Sequence, residues 1–169
     1  RKRTCGLRKR SMREIFVDIR HLTRPNGSGV PRYTEELLRA MIEIDPTFPM
    51  TLVSSGSTRA KKQLPEFEGT RAIHFPVPNR LLNMGLLLGL RPKLPTSGLF
   101  FLPNLNLSFL PPNARYLLTI HDLGFHHFPF QLDLRSRLWH KAVRPKHLIE
   151  NAARIIVPSE HAANDVSRS

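Results

Sequence analysis

Two patterns of hydrophobic residues alternate along this chain, one typical of strands and one typical of helices. Short apolar runs, typical of buried strands, are separated by stretches in which apolar residues recur every three or four positions, the period of a helix. Strands are predicted at residues 14–19, 50–53, 71–75, 99–102, 116–120 and 154–157. Strands that alternate with helices are typical of βαβ units. The sequence therefore predicts an α/β fold, with a Rossmann-like parallel sheet and helices on both of its faces.

Helical patterns occupy three of the segments between or after these strands. The first is predicted over residues 31–44, where Pro31 suits the first turn because its missing N–H would have no partner there. The second covers residues 132–152 and should be kinked or split by Pro145. The third follows Ser159, a good N-cap. The apolar face of the first helix carries Tyr33, Leu37, Met41 and Ile44.

Two other segments, residues 55–69 and 76–112, are rich in proline, glycine and asparagine. They are interpreted as loops around one short apolar helix. Residues 81–90, within the second segment, are the most apolar stretch of the chain. About ten residues are roughly half of what is needed to cross a bilayer, so no membrane span is predicted.

Length and composition suit one globular domain, since 169 residues with 40% hydrophobic side chains can bury a sizeable core. Much of the net charge of +13 lies at the N-terminus, because residues 1–11 hold six Lys and Arg and no acid. These residues are interpreted as a basic disordered leader or a read-through ahead of Met12, and residues 12–169 as the domain. The single cysteine, Cys5, allows no disulfide framework, which fits a cytoplasmic protein.

The first candidate site is the glycine-containing segment between the first strand and the first helix. Gly27 and Gly29 would let a ligand approach the backbone, and the helix N-terminus offers free N–H groups and a positive dipole end to a phosphate. Arg32 adds a positive charge. A dinucleotide fingerprint is disfavoured, because Arg32 stands where G-x-G-x-x-G has its third glycine. An ordinary flexible turn is the structural alternative.

The second candidate is a His-Asp pair, His121 and Asp122, at the carboxyl end of the fifth strand. Ligands bind at that edge of open α/β sheets. The imidazole can hydrogen-bond a sugar hydroxyl, and the carboxylate can orient the ring or cap the next turn; a purely structural histidine is the alternative. A metal site that adds His126 and His127 is disfavoured, because this run has no helical spacing that would make the ligands converge.

The third candidate is formed by Ser159 and Glu160, at a strand end that leads into a helix. Simple N-capping by Ser159 is the alternative. Basic side chains in the second helical segment form either a solvated face or an attraction for anionic lipid or a phosphorylated acceptor. They are Arg135, Arg137, Lys141, Arg144 and Lys146.

In this order and spacing, the three strand-end elements resemble the N-terminal domain of family 4 (group 1) glycosyltransferases. These are retaining GT-B enzymes that include many bacterial mannosyltransferases and glucosyltransferases. The matching stretches are VDIRHLTRPNGSGVPRYTEELLRAM, LFFLPNLNLSFLPPNARYLLTIHDLGFHHFP and ENAARIIVPSEHAANDV. Pro31 stands where the family's loop usually has its second glycine.

The resemblance implies transfer of a hexose, mannose or glucose, from a nucleotide-diphosphate sugar to an acceptor hydroxyl with retention, as in polysaccharide biosynthesis. It implies no cofactor beyond that co-substrate and no obligatory metal. Gly27, Gly29 and Arg32 would lie near the donor phosphates and the acceptor. His121, supported by Asp122, would lie beside the transferred sugar.

The same resemblance places Ser159 and Glu160 near an interdomain cleft. It makes the chain the acceptor-side half of a GT-B fold, with the donor-binding domain C-terminal to Ser169, so the 169-residue chain should be inactive alone. The expected partners are the nucleotide sugar and a glycan or lipid-linked acceptor, with peripheral contact at the inner face of an anionic membrane and no nucleic acid.

Two other functions compete with this one. A non-catalytic basic α/β module would bind an anionic membrane or nucleic acid, with binding that depends on salt and survives deletion of residues 1–11. A nucleotide-dependent epimerase or dehydrogenase is disfavoured by the missing G-x-G-x-x-G fingerprint.

Overall fold

The computed structural model of the protein describes residues 14–23, 29–124 and 133–168. The predicted leader at 1–11, Gly27, His126 and His127 lie outside these ranges. The strands are β1 Ile15–Asp18, β2 Met50–Ser55, β3 Arg71–Phe75, β4 Leu99–Leu102, β5 Arg115–Thr119 and β6 Arg154–Ile156. The α-helices whose bounds are described are α1 Gly29–Ile44, α2 Thr58–Lys62, α3 Asn79–Leu87, α4 Leu134–Val143, α5 Pro145–Asn151 and α6 Glu160–Arg168, and a 3-10 helix covers Arg20–Thr23.

The six strands pair in parallel into one sheet, in the order β3-β2-β1-β4-β5-β6. β1 lies in the middle of the sheet, where Val17 is level with Leu52 of β2 on one side and Phe101 of β4 on the other. All four residues of β1 are buried, as expected of a parallel strand that is covered on both faces. The predicted α/β, Rossmann-like parallel sheet is confirmed.

Helices cover both faces of this sheet. On one face, the fully buried Leu38 of α1 packs in a cluster with Val17. On the other, Phe16 and Phe100 stack with their ring centroids 5.0 Å apart at the centre of a second cluster. That cluster also takes Leu86 from α3, Trp139 from α4 and Leu148 from α5. Successive residues of β1 thus serve opposite faces, and burying a side chain such as Leu38 stabilises the fold by roughly 1.5–3 kcal/mol.

One helix boundary differs from the sequence-based prediction, and one predicted break is confirmed. α1 begins at Gly29 instead of residue 31, so Pro31 is the third helical residue, still within the turn whose N–H groups lack intrahelical partners. The predicted segment 132–152 is split, as expected, at the residue before Pro145. Arg144 there has a left-handed backbone with φ of 54°, and a following proline disfavours the helical conformation at that position.

One helix within a segment predicted to be loop was missed. α2 lies in residues 55–69, and its N-terminus is capped by Ser57, whose Oγ accepts from the Ala60 N–H at 3.3 Å. The predicted short apolar helix in the other segment corresponds to α3. Serine at an N-cap was the available signal for α2, and its five residues carry no apolar period that would have added to it.

The strand order places a topological switch point between β1 and β4. The chain moves outward from β1 through β2 to β3, returns to form β4 on the opposite side of β1, and continues outward to β6. Connections that diverge in this way leave a crevice at the carboxyl ends of the two central strands. The residues that follow β1, β4 and β5 therefore border the natural binding position of this fold.

Candidate functional site

The crevice is bordered by polar side chains from three strand ends. Arg20 and His21 follow β1, Asn104 follows β4, and His121 follows β5. Because the strands are parallel, their carboxyl ends meet at one edge of the sheet. The sheet thus gathers side chains that are up to 101 positions apart in the sequence.

A buried ion pair anchors the end of β1. The Arg20 guanidinium donates to both carboxylate oxygens of Asp18, from Nε to Oδ1 at 2.9 Å and from Nη2 to Oδ2 at 2.8 Å. Nη2 also donates to the Leu107 carbonyl at 2.8 Å, and the guanidinium lies 4.3 Å from the ring centroid of Phe109. The two side chains are only 3% and 1% exposed. This arrangement fixes the floor of the crevice and leaves it almost without net charge.

His21 is held in one tautomer by its neighbour on α1. The Thr34 hydroxyl donates its single proton to the Val30 carbonyl at 3.0 Å, so it accepts from Nε2 of His21, 2.8 Å away. Nε2 therefore carries the proton, and Nδ1 is an acceptor. Burial lowers the pKa of His21 to about 4, with Arg20 and His121 acting in the same direction and Asp18 opposing them. The ring is neutral at pH 7.

A polar pocket of about 210 Å³ opens beside His21. Besides His21 and Arg20, its lining consists of Asn79, Asn83, Asn104, Leu105, Asn106 and Trp139. Three buried acceptors in this lining have no hydrogen-bond partner among the described residues, namely His21 Nδ1, Asn83 Oδ1 and Asn104 Oδ1. An unpaired buried polar atom costs about 1–3 kcal/mol. All three atoms are buried within the protein, so they do not face the open space of the pocket.

His121 lies next to this pocket and is held from two sides. Its Nε2 donates to the carbonyl of Pro103, at 2.9 Å, just beyond the end of β4. The ring of Tyr33, from α1, meets the imidazole edge to face, with centroids 4.9 Å apart at 88°. The Tyr33 hydroxyl is in turn 3.3 Å from Thr119 Oγ1. Tyr33 thus joins the helix of the first candidate segment to the strand end of the second.

Asp122 serves the turn that follows β5. Its Oδ1 accepts from the Gly124 N–H at 3.0 Å, and the side chain is exposed. Among the described contacts, the carboxylate makes no hydrogen bond to His121, which is oriented by Pro103 and Tyr33 instead. The negative charge of Asp122 does reach α4, where it partly opposes the lowering of the His140 pKa by burial.

Gly29 and Arg32 lie in the first turn of α1 and are both exposed. A Cβ added at Gly29 would find no atom of the described chain within 4 Å. Within the described part of the chain, nothing therefore blocks the predicted approach of a ligand to the backbone. Gly27, the other predicted glycine, lies outside the described residues.

Ser159 is the N-cap of α6, as its sequence context predicts. Its Oγ accepts from the Ala162 N–H at 3.2 Å. Glu160 is exposed in the first turn of this helix. Both residues follow β6, which is separated from the switch point by β5, and neither lines the pocket beside His21.

Several site residues escaped the sequence analysis. His21 and Asn104 follow strands within three residues, and the rule that ligands bind at such ends could have found them. Tyr33 was assigned only to the apolar face of its helix. Asn83 and Trp139 carry no local signal, because their place in the pocket depends on how α3 and α4 pack on the sheet.

The described part of the chain contains neither a cluster of metal-binding side chains nor a helix that could cross a membrane. No group of three His, Cys, Asp or Glu side chains there is placed to hold a metal ion. The helices of the described ranges are also too short or too polar to cross a membrane.

Comparisons with protein-family models, with curated proteins and with solved structures gave no match. The site combines a neutral imidazole, a second imidazole fixed at a strand end, asparagine side chains and the exposed first turn of α1. These are hydrogen-bonding and positioning groups, suited to a polar ligand.

Proposed function

We propose that this chain is the acceptor-side Rossmann-like domain of a retaining GT-B glycosyltransferase. Such an enzyme moves a hexose, mannose or glucose, from a nucleotide-diphosphate sugar to an acceptor hydroxyl. The observation that carries the proposal is the fixed position of His121 at the carboxyl end of β5, beside the switch-point crevice and against Tyr33 of α1. A histidine of this kind, in an HD sequence that follows a strand, is what the resemblance to family 4 implies.

On this proposal, His121 acts by position. The hydrogen bond from Nε2 to Pro103 and the edge contact with Tyr33 set the plane of the ring. Nδ1 is then available to a hydroxyl of the sugar. A group that is already oriented contributes to rate because it needs no reorganisation as charge develops in the transition state.

The donor diphosphate would approach the N-terminus of α1. Free N–H groups and the positive end of the helix dipole favour an anion there, Gly29 leaves the approach open, and Arg32 is an exposed positive charge. Binding of the nucleotide itself is assigned, on this proposal, to a second domain. Ser159 and Glu160 would border the cleft between the two.

The test is a sugar-transfer assay on the protein encoded by the complete reading frame that contains these residues, with UDP-glucose, GDP-mannose and related donors. The variant His121→Ala should lower kcat by about 10²-fold, the order seen when one preorganised donor or acceptor is removed from an active site. His147→Ala, an exposed histidine on α5, is the matched control and should retain full activity. Transfer at an unchanged rate by His121→Ala would rule out the proposed role.

A second proposal concerns a membrane partner, and it is favoured by the exposed surface of α4. Leu134 and Leu138 are 71% and 59% exposed, and Arg135 and Lys141 on the same helix are exposed as well. Exposed leucines flanked by basic side chains suit the interface of an anionic bilayer. Such contact would bring the site to a lipid-linked acceptor.

Vesicle flotation tests this contact. The protein should float with vesicles that contain phosphatidylglycerol and much less with phosphatidylcholine alone, and raising the salt concentration should weaken the binding. Leu134→Ser combined with Leu138→Ser should reduce it, whereas Ile44→Ser, at an even more exposed position on α1, should not. Strong salt-dependent binding to nucleic acid, without any sugar transfer, would favour the alternative of a basic binding module.

A further inference from the structure

A larger groove lies at the opposite edge of the sheet from the pocket beside His21. Its volume is about 920 Å³. Its lining includes Arg115, the first residue of β5, and Ala153, which directly precedes β6. Because the strands are parallel, these two residues mark the amino ends of the strands. Among the described residues, none lines both the groove and the pocket, so the two openings are separate.

The floor of the groove is apolar. Val143 of α4, Leu148 of α5 and Leu110 from the segment before β5 line it, and all three are buried in the same core cluster. Tyr116 lines it as well, but its hydroxyl already donates to the Leu148 carbonyl at 2.7 Å. The floor therefore offers a ligand apolar surface, which favours a hydrocarbon group at this place.

The apolar surface continues past the rim of the groove. Leu87, at the end of α3, lines the groove and is 57% exposed. Leu88 and Leu90, which follow it in the sequence, are 76% and 67% exposed. Large apolar side chains that are exposed so close together are typical of a binding surface.

Four side chains of permanent positive charge surround this floor, and the described lining contains no Asp or Glu. They are Arg91, Arg115, Lys141 and Arg144, and all four are exposed. Within the described part of the chain, none of them forms an ion pair. Arg91 is held at the groove because its Nη1 donates to the Leu110 carbonyl at 2.6 Å. Unbalanced cations beside an apolar floor favour a ligand with one apolar end and one anionic end.

Arg144 has a backbone conformation that is unusual for an arginine. It lies between α4 and α5 with φ of 54°, in the left-handed region that glycine adopts without steric cost. Only two non-glycine residues of the described chain have a positive φ, and the other, Asn113, also lines the groove. Backbone strain of this kind clusters at functional sites. Arginine at position 144 is therefore better explained by what its side chain binds than by its backbone.

The kind of charge and the size of the groove narrow the class of ligand. Three of the four cations are arginines, whose planar guanidinium matches two oxygens of a phosphate. A volume of about 920 Å³ lies within the roughly 300–1,000 Å³ of pockets that hold small molecules. Residues 1–11 of this chain are disfavoured as an occupant, because they carry six Lys and Arg and no acid and would be repelled.

We infer that this groove binds a single-chain amphiphile with a phosphate head group. The alkyl chain lies on the apolar floor and leaves past Leu87, and the phosphate is bound by Arg115, Arg144 and the cations beside them. The site is independent of the glycosyltransferase proposal, because it lies at the other edge of the sheet. It is also distinct from the proposed membrane contact of Leu134 and Leu138, which lie in the first half of α4, whereas the groove lies at the end of that helix.

The experiment measures the binding of dodecyl phosphate to the protein by calorimetry and NMR, below the concentration at which micelles form. Binding should saturate at one ligand per chain and weaken as salt is added. Dodecyl maltoside has the same chain with a neutral head group, and inorganic phosphate has no chain. Each should bind at least about tenfold more weakly. The backbone NMR signals of Leu110 and Leu148 should shift, and those of Leu134 and Leu138 should not.

Variants separate the charge of the groove from its structure. Arg144→Gly removes a charge and relieves the left-handed backbone, so it should weaken binding about three- to tenfold while Tm stays the same or rises. Arg144→Lys keeps the charge and should therefore retain more affinity than Arg144→Gly. Arg115→Gln should weaken binding by a similar factor without lowering Tm. Arg59→Gln is the matched control, at an exposed arginine of α2 outside the groove, and should change neither quantity.

Three results would overturn the inference. Equal binding of dodecyl phosphate and dodecyl maltoside would show that the cations play no part. Binding only above the micelle concentration, or NMR shifts confined to Leu134 and Leu138, would assign the interaction to the membrane contact of α4. Unchanged affinity in both Arg144→Gly and Arg115→Gln would remove the proposed phosphate site.

The failures of this inference and of the glycosyltransferase proposal are distinguishable. If dodecyl phosphate binds as expected and the complete protein transfers no sugar, the groove stands and the catalytic proposal fails. If the complete protein transfers sugar and dodecyl phosphate does not bind, the groove inference is wrong and the catalytic proposal stands.

Discussion

Replacing Asp18 by alanine should be among the most damaging single substitutions in the chain. The carboxylate accepts from both Nε and Nη2 of the Arg20 side chain, and it is 1% exposed. Without it, a guanidinium that is 3% exposed keeps the Leu107 carbonyl as its bonded partner and has no balancing charge. Breaking a buried pair in this way costs about 3–5 kcal/mol. In a domain of this length, that corresponds to a fall in Tm of roughly 6–20 °C.

The matched control is the ion pair between Arg39 and Glu35, which has the same 2.7–2.8 Å geometry but lies on the surface of α1. Its side chains are 53% and 35% exposed. Glu35→Gln should cost no more than about 0.5 kcal/mol. Both variants are compared with the wild type by urea unfolding at two salt concentrations, because salt screens only the exposed pair strongly.

A double variant tests whether the cost comes from the stranded charge. Asp18→Leu combined with Arg20→Met removes both charges and keeps apolar volume, so it should recover much of the stability that Asp18→Ala loses. The explanation fails if Asp18→Ala unfolds within about 1 kcal/mol of the wild type. It also fails if the double variant is no more stable than the single one.

Three further predictions concern the site. Gly29→Ala should change Tm by no more than about 1 °C, because the added Cβ meets no described atom within 4 Å and the first turn accepts alanine. If a phosphate approaches this turn, the same variant should weaken the binding of a nucleotide diphosphate, measured by calorimetry. Unchanged binding would exclude that approach. Tyr33→Ala should shift the ring NMR signals of His121 and Tyr33→Phe much less, because only the first removes the edge contact; equal shifts would contradict this role. The pKa of His21 is about 4 in the folded protein, below the ordinary value of 6.5. Between these two pH values the unfolded chain binds a proton that the folded protein does not. The free energy of unfolding should therefore fall by on the order of 3 kcal/mol as the pH drops from 6.5 to 4. Chemical unfolding across this range should show a flatter profile for His21→Asn; an equally steep profile would assign the loss to other groups.

The sheet could be predicted from sequence because its strands have two signals, an apolar run and a helical period in the segments between several of the strands. Runs such as IFV in β1 and LFFL in β4 are apolar without alternation, as is typical of parallel strands covered on both faces, and helical periods separate several of them. The strand order gave no such local signal. The position of β4 beside β1 follows from packing on both faces of the sheet.

Of the candidate site, the sequence predicted only residues that lie at strand ends or at the start of a helix. His121 was found because it follows β5 directly. The sequence left two local roles open for Asp122, orienting the His121 ring or capping the next turn, and the structure shows the turn contact, in which the carboxylate accepts from the Gly124 N–H. The pocket beside His21 has no sequence signature. Whether an atom such as Asn83 Oδ1 finds a hydrogen-bond partner depends on which groups lie near it after α3 has packed on the sheet.

The central position of β1 also affects how the chain folds during its synthesis. One neighbour, β2, begins at Met50, but the other, β4, begins only at Leu99. At roughly 5–20 residues per second, the ribosome completes β4 about 4–17 s after β1. During that interval, Phe16 lacks its stacking partner Phe100, and one backbone edge of β1 is open to any other strand. Until β4 has been added, the nascent chain is therefore exposed to wrong pairing at β1 and to chaperones.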